Sequence, residues 1–590
     1  MFKPSWALLL SAVPTAVSAT DAVEHISVYA NRTPLATSEV LASVSVLDRA
    51  DIEARQASDL PALLAQLPGI TISRDGGRGQ NSGLYLRGGN NGHTLVLIDG
   101  VRSGSATLGY KTLSMLPLAL IERIEVIRGP RAAWYGADAL AGVIAITTRQ
   151  ARGVELTADV GSYGQAGAGI NASQQQGDLT LSASAGYSRA DGFNVRSDLD
   201  NDRDGYQQRF AKLAAAYQTG FGLWRGQVDV NSGFYQFDTA WGSEDQAETL
   251  NRSYLLGWEH QQGSWQHQAQ FSRTLDDDTT YGPVSQSPYV TERDEFNYQA
   301  TTALTDSLSG LAGVNWYQES VARSGVAYVK DNRLNRAAFA GLQFAAQGLR
   351  LDGAVRRDLT EQYGGNTTWQ FAAGVDLSDA MQLRLSRGSA FKAPTFNDLY
   401  YPGSANPDLQ PESTLSDEIA LSYQLAAATL QLAWFKQDVD NLIQFDFATY
   451  TPQNIERAKI SGVEFSVDLR WDSLQQTISY SWLDTENTLT GQRLARRPEH
   501  SVNWRLTQQW QQLSAFVTAD YQSDTYQGEY ASSPYLGGFT VFGVGGSFAL
   551  SPALSLSAKV DNLFDKHYQT SSGYETAGVN FGLSLQYKLP

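Results

Sequence analysis

The chain is 590 residues long, contains no cysteine and carries a formal net charge of −17, with an isoelectric point near 4.9. Without thiols it has no disulfide scaffold, no thiol nucleophile and no cysteine-held metal, and its acidity disfavours nucleic acid as a partner. Glycine (53) and aromatics (28 Tyr, 23 Phe, 13 Trp) are plentiful and mean hydropathy is −0.30, a composition shared by β-barrels and by some water-soluble β proteins.

The N-terminus reads as a secretory signal. Lys3 supplies a basic start, Trp6 to Val17 an apolar stretch, and Val17, Ser18 and Ala19 a small-residue cleavage site, so residues 1–19 are expected to be removed. No later stretch reaches the ~18 apolar residues of a membrane helix; the best, Leu113 to Ile127, is broken by Glu122, Arg123 and Glu125. A membrane protein built this way must be a closed barrel, because every backbone polar group in lipid needs a partner.

Residues 20–32 form a polar lead-in, and 33–150 read as a compact α+β domain. Asp51 to Leu67 has apolar residues at helical spacing and is stopped by Pro68 and Gly69. Short strands are predicted from Gly69, Gly83, Thr94, Ile121 and Gly142, separated by turn residues.

From residue 151 onward the pattern has period two. Val154, Leu156, Ala158 and Val160 alternate with polar residues, as do Leu179 to Ala185, Leu554 to Val560 and Phe581 to Leu589. Such alternation puts one set of side chains on lipid and the other in a lumen. Short turns, such as Gln176 to Asp178, alternate with long polar loops, such as 191–206. Residues 151–590 allow twenty-two antiparallel strands at about 20 residues per strand and connection, a barrel wide enough to need a plug. A soluble all-β repeat protein shares the alternation.

The stretch Ile121 to Thr148, with Arg128-Gly-Pro-Arg131 at its centre, resembles the plug signature of TonB-dependent outer-membrane receptors. Leu95 to Val101, Phe391 to Pro394, Asn406 to Glu412, Ala458 to Glu464 and Asp561 to Tyr568 resemble further motifs of that family, in the expected order over nearly the whole mature chain. Ala137, Ala141 and Ala145 depart from the usual residues, and the chain ends in Leu589-Pro590 where such barrels commonly end in Phe. The fragments Asn31-Arg32, Leu67 to Ile72, Asn90 to Arg102 and Gly573 to Gly578, with the acidic loop Asp198 to Gly205 and the short length, lean toward the family's cobalamin receptors. The resemblance implies a non-enzymatic importer in the Gram-negative outer membrane: a monomeric barrel surrounded by lipid and lipopolysaccharide, driven by TonB and carrying cobalamin, with a ferric siderophore as the alternative cargo.

Three segments are candidates for function. Glu24, His25, Ile26, Ser27, Val28, Tyr29 and Ala30 stand where the family carries its TonB box; strand addition to TonB needs an extended backbone more than particular side chains, and an ordinary first strand is the plain alternative. The acidic loop Asp198 to Gly205 places Asp200, Asp202 and Asp204 at alternate positions, like the first half of a calcium loop, but no bidentate Glu follows at EF-hand distance. The resemblance implies calcium there, with Asn194, Asp238 and Glu248 as helpers; a solvated acidic loop is the alternative. The third segment, Gly76, Gly77, Arg78, Gly79, Gln80, Asn81 and Ser82, lacks the Lys and following helix of a phosphate cradle. It reads as an apical plug loop offering amides to a ligand, joined by Ser103 and Ser105 from a second loop, Arg102 to Lys111; a plain surface loop is the alternative.

In a lumen the plug charges Arg87, Glu122, Arg123, Glu125, Arg128 and Arg131 can pair with charges of the barrel wall; ordinary surface charges of a domain are the plain alternative. The six histidines fall in no zinc spacing, and His93 reads as structural. No catalytic triad can be assembled for a barrel enzyme, no His lies between Phe391 and Leu409 as haem receptors tend to have, and a passive porin has no use for the N-terminal domain.

Overall fold

The computed structural model describes residues 27–28, 31–33, 35–150, 152–199, 201–239, 245–446, 448–528 and 533–589. Residues 1–19 lie outside the described residues. Two units separate, 1–40 and 41–590. In the first, β1 (Ser27–Val28) pairs antiparallel with β2 (Leu35–Ala36), Ser27 opposite Ala36 and Val28 opposite Leu35.

The second unit holds a small domain inside a barrel. Its sheet contains β3 (Val44–Leu47), β6 (Thr94–Ile98), β7 (Val101–Ser103), β8 (Ile121–Arg128) and β9 (Gly142–Thr148), in the order β3-β8-β9-β6-β7; β4 (Ile70–Arg74) and β5 (Ser82–Leu86) form a separate hairpin. Between β3 and β4 lie α1 (Arg49–Arg55) and α2 (Leu60–Leu64), and after β8 comes α3 (Ala132–Tyr135). The apolar faces meet in one core in which Leu60, Leu63, Leu64, Ile121, Ile124, Val126 and Ile144 are fully buried.

The single helix expected over 51–67 is two helices. Asp48 caps α1 by accepting from the Asp51 N–H at 2.8 Å, and the helix ends where Gln56 turns left-handed at φ 49°. Asp59 then caps α2, accepting from the Ala62 N–H at 2.9 Å. Pro61 explains the break: inside a continuous helix it would lack a donor and clash with the carbonyl four residues back, whereas in the first turn it costs nothing.

The barrel has the expected twenty-two strands and is closed. Its first strand, Gly153–Gly161, pairs antiparallel with its last, Asn580–Leu589, so that Leu156 faces Tyr587. Every connection at one end is a two-residue turn, from 177–178 to 552–553, while the other end carries loops as long as 393–411 and 562–579. This is the asymmetry of periplasmic turns and external loops. The loop expected at 191–206 is shorter, because its strands keep pairing past the alternating region, with Ala190 opposite Tyr206 and Phe193 opposite Asp204. Side-chain alternation is clear in Leu349–Thr360: Val355 and Leu359 face outward at 49% and 53% exposure, while Arg356 and Asp358 between them are fully buried.

Buried charges join plug to wall. Arg87 bonds Glu418 at 2.5 Å and Glu464 at 2.8 Å, and its guanidinium lies 4.4 Å from the Phe435 ring centre. Arg128 reaches Glu464 at 3.2 Å, and Ser43 donates to Glu418 at 2.9 Å. The expectation of pairing with the wall thus holds for Arg87 and Arg128. Arg123 instead pairs within the plug with Glu125 at 2.9 Å, and Glu122 with Arg149 at 3.4 Å. His93 bonds the wall residue Glu412 at 2.9 Å, a structural role. Elsewhere Lys212 meets Asp99 at 2.9 Å and Lys111 meets Asp276 at 2.8 Å.

Candidate functional site

The apical loop is the tip of the β4–β5 hairpin, closed by the Asp75 N–H donating to the Asn81 carbonyl at 3.0 Å. Gly76 has φ +118°, and a Cβ there would stand 2.4 Å from Val195 Cγ1; at Gly79, φ +86°, it would stand 2.6 Å from Tyr206 Cβ. These glycines therefore allow close approach of the loop to the wall. Val195, Tyr206 and Gln236 form the clamp. Gln80 is fully buried and donates to the Gln236 carbonyl at 2.5 Å, so its amide anchors the loop. Arg78 lies 5.3 Å from the Tyr206 ring centre. Ser82 is buried and Gly77 half-buried, which leaves Asn81 exposed at the tip, its amide 3.3 Å from Asp75 Oδ2.

The second loop is covered. Ser105 is buried and shares a 2.8 Å hydrogen bond with Thr107, while Ser103 is half-buried. Above them lies α4 (Phe396–Tyr400), in the external loop 393–411. The Phe396 N–H donates to the Ala106 carbonyl at 3.3 Å, and Phe396 packs with Ala106 and Val321. In this arrangement Ser103 and Ser105 lie beneath a lid. Thr395 caps α4, accepting from the Asp398 N–H at 3.1 Å. Two external aromatics meet at the same end, where the Tyr289 hydroxyl donates to the Tyr401 hydroxyl at 3.4 Å.

Asp202, Asp204 and Asp238 come together from two external loops, with ligand oxygens all within 4.8 Å of one another. Asp204 and Asp238 are buried and Asp202 exposed. Asp204 Oδ2 also accepts from the Val195 N–H at 2.9 Å, and the Asp238 carbonyl accepts from the Tyr574 hydroxyl at 2.8 Å. Asn194 sits next to Val195, its Oδ1 accepting from the Arg196 N–H at 2.9 Å. Glu248 is not gathered in; it accepts from the Tyr281 hydroxyl at 2.9 Å, because it lies on the following strand, Gln246–Gln262. Asp200 lies outside the described residues. An all-oxygen set with three carboxylates suits a hard divalent cation such as calcium.

Of the box, Ser27 and Val28 lie in β1; Glu24, His25, Ile26, Tyr29 and Ala30 lie outside the described residues.

The clamp residues were not picked out from the sequence. Phe193 and Tyr206 do stand at the rims of the acidic loop, and aromatics flanking a turn that faces a glycine-rich loop are the available signal. Glu464, the acceptor for two plug arginines, closes the Ala458 to Glu464 motif.

Comparison with known proteins agrees with this architecture. A family model described as "TonB dependent receptor-like, beta-barrel" matches residues 192–563, and the "TonB-dependent Receptor Plug Domain" model matches residues 36–143. The vitamin B12 transporter BtuB of Photobacterium profundum is 31% identical over 601 residues, covering 98% of each chain. That of Vibrio vulnificus is 30% identical over 625 residues, covering 100% of each. Among solved structures, the ferric enterobactin receptor of Pseudomonas aeruginosa superposes with a TM-score of 0.81 at 18% identity, covering 93% of this chain and 100% of that one. With a barrel model matched over more than half its length and full-length relatives at 30–31% identity, the chain belongs to the TonB-dependent receptors of the outer membrane.

Proposed function

We propose that this receptor imports cobalamin. The observation that carries the reading is end-to-end similarity to vitamin B12 transporters at 30–31% identity. The chemistry of the external face supports it. Cobalamin is bulky, amphipathic and rimmed with amides, so it calls for neutral hydrogen bonding and aromatic faces. Asn81 at the plug tip and Tyr289 and Tyr401 at the external end are of that kind, in a chain with 61 acidic against 44 basic residues. The receptor acts as a monomer in lipid and lipopolysaccharide.

Calcium completes the site in this reading, held by Asp202, Asp204 and Asp238, with Asn194 and Asp200 as further oxygen donors. Two carboxylates within 4.8 Å repel by roughly 3–4 kcal/mol at an effective dielectric near 20, and a divalent cation turns that repulsion into attraction. Its effect on the ligand runs through Val195 and Tyr206, which touch both the acidic loop and the glycines of the plug tip. TonB draws on residues 24–30 by strand addition, so energy comes from the inner membrane and no nucleotide site is needed.

The test is a calorimetric titration of detergent-purified protein with cyanocobalamin in calcium, beside a panel of ferric siderophores. Heat with the corrinoid alone supports the reading, and Asn81→Leu should weaken that binding about tenfold, as expected if one partner of about 1–3 kcal/mol is left unpaired. Heat only with an iron chelate would replace cobalamin as the cargo and leave the receptor mechanism standing.

A further inference from the structure

Between the second plug loop and the wall, at the root of the lid loop, the protein buries more positive charge than it neutralises. A cavity of about 30 Å³ there is lined by Arg102, Asp138, Arg293, Glu319, Arg333 and Lys392, with Thr395 of the lid loop beside them. Four of these are cations and two are carboxylates. Arg102 belongs to β7 of the plug, while Arg293, Glu319, Arg333 and Lys392 stand on the wall strands Gln286–Thr305, Leu308–Ser324, Asn332–Ala346 and Met381–Lys392. Arg102, Arg293, Glu319 and Lys392 are each more than nine-tenths buried.

The hydrogen bonds show how the charges are shared. Glu319 serves two arginines. Its Oε1 accepts from Arg293 Nε at 3.2 Å and from Arg293 Nη2, and its Oε2 accepts from Arg333 Nη2 at 2.7 Å and Arg333 Nε at 3.1 Å. Arg333 Nη1 donates to the Pro394 carbonyl at 2.9 Å. Arg293 Nη1 is left buried without a hydrogen-bond partner. Arg102 uses Nη1 on the Ala137 carbonyl at 2.8 Å and on Asp138 at 3.0 Å, and Nη2 on the Tyr135 carbonyl at 2.7 Å; its Nε is likewise buried without a partner. Lys392 is in no ion pair among the described residues, and its ammonium donates to the Gly92 and Gly109 carbonyls at 3.1 and 3.4 Å. Two further acids lie close enough to feel its charge, and both are engaged: Glu412 by His93 at 2.9 Å, and Asp398 by the N–H and hydroxyl of Thr395 at 2.8 and 2.7 Å.

Buried donors without acceptors, and buried cations without counter-charge, both carry a desolvation penalty. Water can satisfy a donor but brings no net charge. The cavity takes about two water-sized spheres, which also suits one monatomic anion and is too small for phosphate or for a group on a bulky cargo. We propose that it binds a small inorganic anion of the size and charge of chloride, with Arg293 Nη1, Arg102 Nε and the Lys392 ammonium as its donors. Bound there, the anion ties the plug, the wall and the root of the lid loop together, and α4 stays over Ser103 and Ser105. In its absence the four cations repel one another and the lid loosens. The inference is independent of the cargo.

Bromide stands in for chloride and scatters anomalously. Crystals of the detergent-purified receptor grown in bromide should show an anomalous peak in this cavity, within hydrogen-bond distance of Arg293 Nη1. No peak at saturating bromide means that water alone fills the space, and overturns the site. In solution, the lid is followed by protease nicking within residues 393–411, where cleavage tracks the open population. Nicking of the parent should slow about fivefold or more when chloride replaces gluconate, an anion too bulky to enter, at constant ionic strength. Equal nicking in the two salts overturns the clamp. Lys392→Met removes one of the excess charges, and the chloride effect should then fall below about twofold; an undiminished effect in the folded variant would put the anion elsewhere and overturn the assignment. The diffraction experiment uses the parent protein, so the site is decided even if that variant fails to fold.

Discussion

Arg87→Leu probes the strongest fastening of plug to barrel. The guanidinium is fully buried between Glu418 and Glu464, and those two carboxylates, outweighing the penalty of its burial, hold its pKa above the ordinary arginine value. Removing one partner of a buried pair typically costs 3–5 kcal/mol. Here Glu464 keeps Arg128 at 3.2 Å, so the deficit falls mainly on Glu418, which retains the Ser43 hydroxyl at 2.9 Å; about 3 kcal/mol is the reasonable figure. At 1.4 kcal/mol per tenfold, the population of plug loosened from this wall should rise about a hundredfold. The assay is protease nicking of the plug in detergent-purified protein, where cleavage follows the open population. A double variant, Arg87→Leu with Glu418→Gln, removes the stranded charge while Glu464 keeps Arg128, and should recover most of the loss. Nicking within twofold of the parent in Arg87→Leu would refute the view that this cluster fastens the plug.

Val28→Pro should abolish uptake and leave ligand affinity unchanged, since proline removes a backbone donor from the segment proposed to pair with TonB as a strand, whereas Val28→Ala should retain most transport. The pair Asp204→Asn and Asp238→Asn should lower cyanocobalamin affinity at least tenfold and erase its dependence on calcium; titrations with and without chelator check both, and a full calcium response in the variant would disprove the site. The Asp59 carboxylate is buried, which pushes its pKa up, but Arg74 at 2.7 Å and the Ala62 N–H outweigh burial and hold it below the usual range. A depressed carboxylate pKa contributes stability that is present above the unfolded value near 4 and lost as pH falls through the folded one. Asp59→Asn should therefore lower the plug's melting temperature at pH 7, and the gap to the parent should close below about pH 4.

The sequence made the architecture legible because barrel physics is repetitive. Val355, Arg356 and Leu359 show the alternation directly, and two-residue turns punctuate it at one end. The ordered motifs likewise located Arg128 and Glu464, although only the fold revealed that they meet. What was less legible depends on contacts between distant segments. That Gly76 and Gly79 accommodate Val195 and Tyr206, and that Gln80 is committed to Gln236, follows from the wall's curvature around the plug, which no local pattern encodes. The lid of Phe396 over Ala106 hides Ser105 for the same reason. The split of the 51–67 helix was readable, since Asp59 with Pro61 is a helix start, but the apolar spacing ran through it and masked the break.

The most direct test of the account is uptake of labelled cyanocobalamin by Gram-negative cells that lack their own corrinoid receptor and express this chain, with TonB present or deleted. Uptake that appears with the receptor and disappears without TonB is the predicted result. No uptake in TonB-competent cells, with the protein shown to be folded in the outer membrane, would contradict cobalamin as the cargo; uptake that persists without TonB would contradict energised import itself.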